Sequence, residues 1–185
     1  MTSPYRELCL IDPSMSGVRK QQMVITFNDD LKGTELEEVS SDIDRKLLEI
    51  SQVQTKTSEA LLCLRCRVSH PITEKIRLLF NQFRQNYDLE LIDMLVCVLN
   101  DNGDHFLRVS QKQEDGKIET LREPFSWGTL KKLSRKEIKP FAAEVIYNFE
   151  PNLSSLATWA KNKVQANREL KLYLRSNGLL LITPW

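Results

Sequence analysis

Apolar residues recur with helical spacing along most of this chain, and lose it only near the start and in one polar stretch past the middle. Ser40-Ser41-Asp42 precedes Ile43, Leu47 and Ile50. A capping side chain ahead of apolar positions three and four apart predicts a helix over about 42–54. Thr57-Ser58 opens a second run, Leu61, Leu62, Leu64 and Val68. Pro71 is expected to end or bend it, because proline lacks the amide donor and restricts the residue before it. Ile72, Ile76, Leu79, Phe80 and Phe83 then predict a third amphipathic helix, with Lys75, Arg77 and Arg84 outside its stripe.

Leu89 to Leu99 is nearly continuous in apolar residues, and Leu and Met outweigh β-branched types, so a short buried helix is predicted. Asn100-Asp101-Asn102-Gly103-Asp104 is a turn signal, and the polar run through Glu114-Asp115-Gly116-Lys117 predicts a loop or a small hairpin near 104–121. Leu130, Leu133 and Ile138 mark a basic helix, and Phe141 and Val145 continue helically after Pro140. Pro151 interrupts the pattern. Ser154 or Ser155 can then cap a helix that buries Leu156, Trp159, Ala160 and Val164 and turns Lys161, Asn162 and Gln165 elsewhere. Leu170, Tyr173 and Leu174 belong to a last short helix, which Gly178 can terminate. The apolar tail Leu179 to Trp185 is expected to mark an early stop or an interface.

Residues 1–40 sustain no period and carry Pro4, Pro13, Gly17 and Gly33. They read as a loosely ordered arm with one short strand at Met23-Val24-Ile25-Thr26-Phe27. The expected architecture is therefore mainly α, an arm over 1–40 and a compact helical domain over 41–185.

Charge sharpens this picture. The chain carries a net +1, yet from Lys131 onward ten basic residues face only four acidic ones. A basic end on a mildly acidic body points to a polyanion or an acidic protein surface as partner, against the plainer reading of a solvated lysine face. No stretch has the roughly 18 apolar residues of a membrane span, and no basic start followed by an apolar run opens the chain, so a cytoplasmic protein is expected. Four cysteines in 185 residues are too few for a disulfide scaffold.

Cys63-Leu64-Arg65-Cys66 with His70 four residues on has a spacing that could hold zinc, but supplies only three of the four ligands a structural site needs. The competing reading places both cysteines in the core as small hydrophobes. Phosphate-loop, dinucleotide, HExxH and GxSxG motifs are all missing, so neither an enzyme nor a cofactor nor a small-molecule substrate is expected. Lys161, Lys163, Arg168, Lys171 and Arg175 lie near Trp159 and Tyr173. Cations beside aromatics are a common means of holding single-stranded nucleic acid, although Trp159 falls on the apolar stripe.

The residues Glu144-Val145, Phe149-Glu150-Pro151, Ser155-Leu156 and Trp159 resemble the second conserved region of bacterial RNA polymerase sigma factors. There a helix ends in a Phe-Asp-Pro-type turn and the next begins Ser-Phe-x-x-Trp. The wider stretch from residue 60 onward is similar to sigma-like proteins of cyanobacteria, with the region 2-like part at about 130–178. The resemblance implies transcription initiation by binding RNA polymerase core and promoter DNA. By position, Glu144, Val145 and Asn148 would face polymerase, while Lys161, Asn162, Lys163, Gln165 and Arg168 would be nearest the −10 element. Ala160, Lys161 and Val164 stand where the family places rings that capture melted bases, so the likeness does not extend to promoter opening. A fragment, a truncated relative or a regulator derived from one, without a −35 reader, is expected, and a helical interaction domain without DNA binding is the alternative.

Overall fold

The computed structural model describes residues 3–25, 36, 38–53, 59–101, 106–112, 118–124, 126–133 and 140–181, with backbone only for 106–112, 118–124 and 133. The described residues are mainly helical, and one long helix is the axis on which the others pack.

That axis is α2, Glu59–Phe83, where two helices meeting at Pro71 are expected from sequence. Its 25 residues span about 37 Å at 1.5 Å each. Pro71 deprives only the Arg67 carbonyl of its helical donor. Burial outweighs that loss, because residues 60–69 and 71–73 are all enclosed, and tertiary packing rather than local propensity decides helix continuity. Side chains also secure the turn before the proline. The Ser69 hydroxyl donates to the Cys66 carbonyl at 2.6 Å and accepts the Cys9 amide at 3.0 Å.

The expected loose arm is instead a hairpin over much of its length. Strands β1, Glu7–Asp12, and β2, Gly17–Gln22, pair antiparallel from Glu7 opposite Gln22 to Asp12 opposite Gly17. Between them a 3₁₀ turn, Pro13–Met15, is capped by Asp12 and closed by Ser16 in the left-handed region. Leu8, Cys9 and Leu10 are buried against α2, so apolar contact orders a segment whose own pattern is too short to announce a strand. Met23, Val24 and Ile25 are not a strand, and the rest of the one expected there lies outside the described residues.

Helix α1, Ser41–Val53, forms where the spacing predicts it. Ser40 Oγ accepts the Asp42 and Ile43 amides, Asp42 and Asp44 favour the positive helix end, and Leu47 and Leu48 are buried. Helix α3, Leu91–Val96, is the short helix expected in the apolar 89–99 run. A second hairpin, β3 Phe106–Lys112 with β4 Ile118–Pro124, covers the stretch expected as loop or hairpin. Helix α4, Trp127–Leu133, follows, with Ser126 Oγ accepting the Thr129 amide; the remainder of the expected basic helix, through Ile138, lies outside the described residues.

Three short helices close the fold: α5 Phe141–Tyr147, α6 Leu156–Ala166 and α7 Arg168–Ser176. Phe141, Ala142, Ala143, Val145 and Ile146 from α5, and Leu156, Ala160 and Val164 from α6, join the core around α2. Gly178, at φ +84°, lets the Leu179 amide reach the Leu174 carbonyl and its own amide reach that of Arg175. Those two bonds define a Schellman stop. Among the described residues no helix is long and apolar enough to cross a membrane.

Candidate nucleic-acid interface

The corner between α5 and α6 sets the geometry of the basic end. Phe149 is buried behind α5, and the chain turns through Glu150-Pro151 to Ser155, whose hydroxyl accepts the Thr158 amide at 3.2 Å and caps α6. One turn on, Trp159 Nε1 donates to the Val145 carbonyl at 2.9 Å, tying α6 back to α5. The Phe, Ser and Trp of this segment are thus building residues, and each has a structural partner.

The predicted DNA-facing residues divide. Lys161 forms a 2.8 Å ion pair with Glu74 of α2, so its charge is already engaged. Lys163 lies with Nζ 4.5 Å from the centre of the Trp159 ring, a cation–π contact on a half-exposed surface. Asn162 and Arg168 are exposed, and Gln165 is half-buried. The predicted polymerase-facing residues divide as well. Val145 is fully buried and belongs to the core, so its side chain offers nothing to a partner. Glu144 is half-buried, and Asn148 is exposed with its Nδ2 donating to the Glu144 carbonyl at the end of α5.

Glu144 shares a cleft with Lys163 and Arg168, although position in the sequence assigns them to a different surface. This cleft, of ≈ 660 Å³, is lined by Cys97, Asn100, Phe141, Glu144, Lys163, Ala166, Asn167, Arg168, Glu169 and Leu172. A smaller groove of ≈ 280 Å³ shares Ala166, Arg168 and Leu172 with it, and adds Lys171, Arg175, Leu180 and Leu181. Helices α6 and α7 carry five cations against the one acid Glu169. Four of the five, Lys163, Arg168, Lys171 and Arg175, line these two adjoining depressions.

The other predicted aromatic, Tyr173, is also occupied, since its hydroxyl accepts the Glu90 amide at 2.8 Å, and burial raises it above its ordinary range. Burial, then Glu169 and Asp93, push the Cys97 thiol up to about 11, which leaves it a poor nucleophile in the cleft.

The zinc spacing is not assembled. Burial pushes Cys63 and Cys66 each up to about 12, so both are core thiols, while His70 turns to the β1 strand. There its Nε2 meets the Glu7 carbonyl at 2.8 Å and its Nδ1 faces Cys9 Sγ at 3.9 Å. Cys9 is lowered despite burial, chiefly through the hydrogen bond and charge of His70. Sequence gives no hint of this pair, whose members are 61 residues apart. A second missed group is Arg65 with Asp101, both fully enclosed, Nε to Oδ1 at 2.9 Å. An arginine inside the Leu64-Arg65-Cys66 run was its available signal.

No protein-family model, curated protein or solved structure matches this chain.

Proposed function

We propose that this chain is a sigma-like transcription initiation protein that binds RNA polymerase core and holds promoter DNA along the α6–α7 face. The observation that carries the reading is the gathering of Lys163, Arg168, Lys171 and Arg175 along two adjoining depressions, on helices whose buried residues are apolar. The cations hold phosphates without reading sequence, and Asn162 and Gln165 beside them have the amide donors and acceptors that base edges require. Exposed Asn148 at the end of α5, and half-buried Glu144 where it borders the cleft it shares with Lys163 and Arg168, are the residues left for polymerase once Val145 is assigned to the core. The structural roles of Phe149, Ser155 and Trp159 support the same reading, since they are the residues that carry the resemblance.

Fluorescence anisotropy on a labelled −10 non-template strand tests the DNA half. With four phosphate contacts, log affinity should fall with log salt at a slope of about −3, and Lys163→Glu with Arg168→Glu should weaken binding at least ten-fold. Co-purification with polymerase core tests the other half, with Glu144→Lys expected to reduce it. Absence of DNA binding at low salt removes the DNA half, and polymerase binding alone would make the chain an interaction module.

A further inference from the structure

The groove behind α7 differs in chemistry from the DNA-facing side of α6. Arg168, Lys171, Leu172 and Arg175 fall at i, i+3, i+4 and i+7 and so share one face of α7. After the Schellman turn at Gly178, Leu180 and Leu181 line the same groove as that face. Leu172 is 56% exposed and Leu180 is 68% exposed, in a fold whose other C-terminal leucines Leu170, Leu174 and Leu179 are buried.

We propose that this groove docks an acidic protein segment that places a large apolar side chain between Leu172 and Leu180 and carboxylates on Arg168, Lys171 and Arg175. Charge complementarity selects the occupant. Among the described residues three cations and no acid line the groove, and Arg168 and Arg175, seven residues apart, are separated by about 10 Å along the helix. Carboxylates seven apart in a helix, or three apart in an extended chain, match that interval. Two exposed leucines in its lining disfavour a nucleic-acid strand, whose bases seek aromatic platforms and whose phosphates gain nothing from apolar side chains. An apolar anchor ringed by charge pairs is the pattern of a protein docking site. Arg168, Lys171 and Arg175 are shared with the proposed DNA face, so DNA and the acidic segment would compete for them, while the leucine anchors on α7 and the segment after it would serve the acidic segment alone.

Panning a random 16-residue peptide library on the full chain tests the proposal. Enriched sequences should carry one or two large apolar residues flanked by Asp or Glu. A fluorescein-labelled copy should lose at least ten-fold in affinity both for Leu172→Ser with Leu180→Ser and for Arg175→Glu. Binding of a 16-nucleotide oligo-dT to the double serine variant should stay within two-fold of the unsubstituted chain. All three positions are exposed, so the variants should keep their circular dichroism and melting temperature; if the serine pair does not fold, the peptide affinity of Arg175→Glu alone decides the matter. Enrichment without an acidic motif, or peptide binding indifferent to these positions, overturns the proposal. So does oligo-dT binding that falls as far as the peptide's on removing the leucines, which would make the groove a nucleic-acid site.

Discussion

Replacing Asp101 by Asn should be among the most damaging single changes in this chain. Arg65 and Asp101 each have no exposed side-chain surface, and Arg65 Nε lies 2.9 and 3.2 Å from the two carboxylate oxygens. The two terminal nitrogens of Arg65 have no hydrogen-bond partner among the described residues, so the carboxylate supplies the main compensation for burying this cation. Removing one member of such a pair costs about 3–5 kcal/mol. At about 2–4 °C per kcal/mol for a chain of this size, the melting temperature should fall by roughly 6–20 °C. Arg65→Met should cost a similar amount, because it leaves a buried carboxylate without its guanidinium. Arg65→Met combined with Asp101→Leu should recover most of that loss, since an apolar pair of similar volume has no charge to bury. Urea unfolding of the two single variants and the double variant decides it. A double variant no more stable than the singles, or an Asp101→Asn cost under about 1 kcal/mol, would refute the picture of a pair whose worth lies in mutual neutralisation.

Trp159→Phe removes the donor to the Val145 carbonyl and should cost about 1–3 kcal/mol in urea unfolding, with oligonucleotide affinity within two-fold. A ten-fold loss of affinity at unchanged stability would instead make the ring a stacking platform. Burial opposes the charged form of His70, but the Cys9 thiol, then the Glu7 carbonyl and carboxylate, outweigh it and hold the imidazole above 6.5. The stability His70 contributes should thus be full below pH about 6.5 and be lost as pH rises through its raised folded value. Cys9→Ser should move the His70 proton NMR titration downward; an unmoved midpoint would assign the raised value to Glu7 alone. Gly178→Ala should cost about 1–2 kcal/mol through the positive φ, since an added methyl meets only the Tyr87 ring at an ordinary 3.8 Å. Gly178→Asn should cost less, and equal costs would show that space, not backbone conformation, is limiting.

Helix starts and stops were the most legible features. Ser40, Ser155 and Gly178 act where their types predict, because capping is a local exchange between one side chain and nearby amides or carbonyls. Pro71 misleads for the opposite reason: its local penalty is fixed, whereas the burial that overrides it comes from β1, α1, α5 and α6, elements remote in sequence. The β1–β2 hairpin was illegible on the same ground, since Leu8 and Leu10 gain their burial chiefly against α2. For the candidate interface, Lys163, Arg168, Asn162 and Gln165 were legible as positions off the apolar stripe. The engagement of Lys161 by Glu74, 87 residues away, and the full burial of Val145 were not, because each depends on which neighbour the stripe meets.

The cations of α7 are held together by the rest of the fold. Arg168 with Lys171, and Lys171 with Arg175, are like charges at helical neighbour spacing, an arrangement that costs a few tenths of a kcal/mol per pair. A nine-residue helix has too little intrinsic stability to absorb that cost alone. Its stability comes from buried Leu170 and Leu174, from Asn167 Oδ1 accepting the Leu170 amide at 2.8 Å, from the Gly178 stop, and from Tyr173 reaching Glu90. The position of α6 beside it depends in turn on α5, whose first amide, at Phe141, donates to Asn100 Oδ1, next to the Asp101 that pairs with Arg65. A structural chain therefore runs from the buried guanidinium in α2 to the basic surface, and it keeps like charges close at a small but real cost. Phosphates or carboxylates arriving at α7 would relieve that cost, which is the physical ground that the proposed DNA face and the proposed acidic-segment groove share.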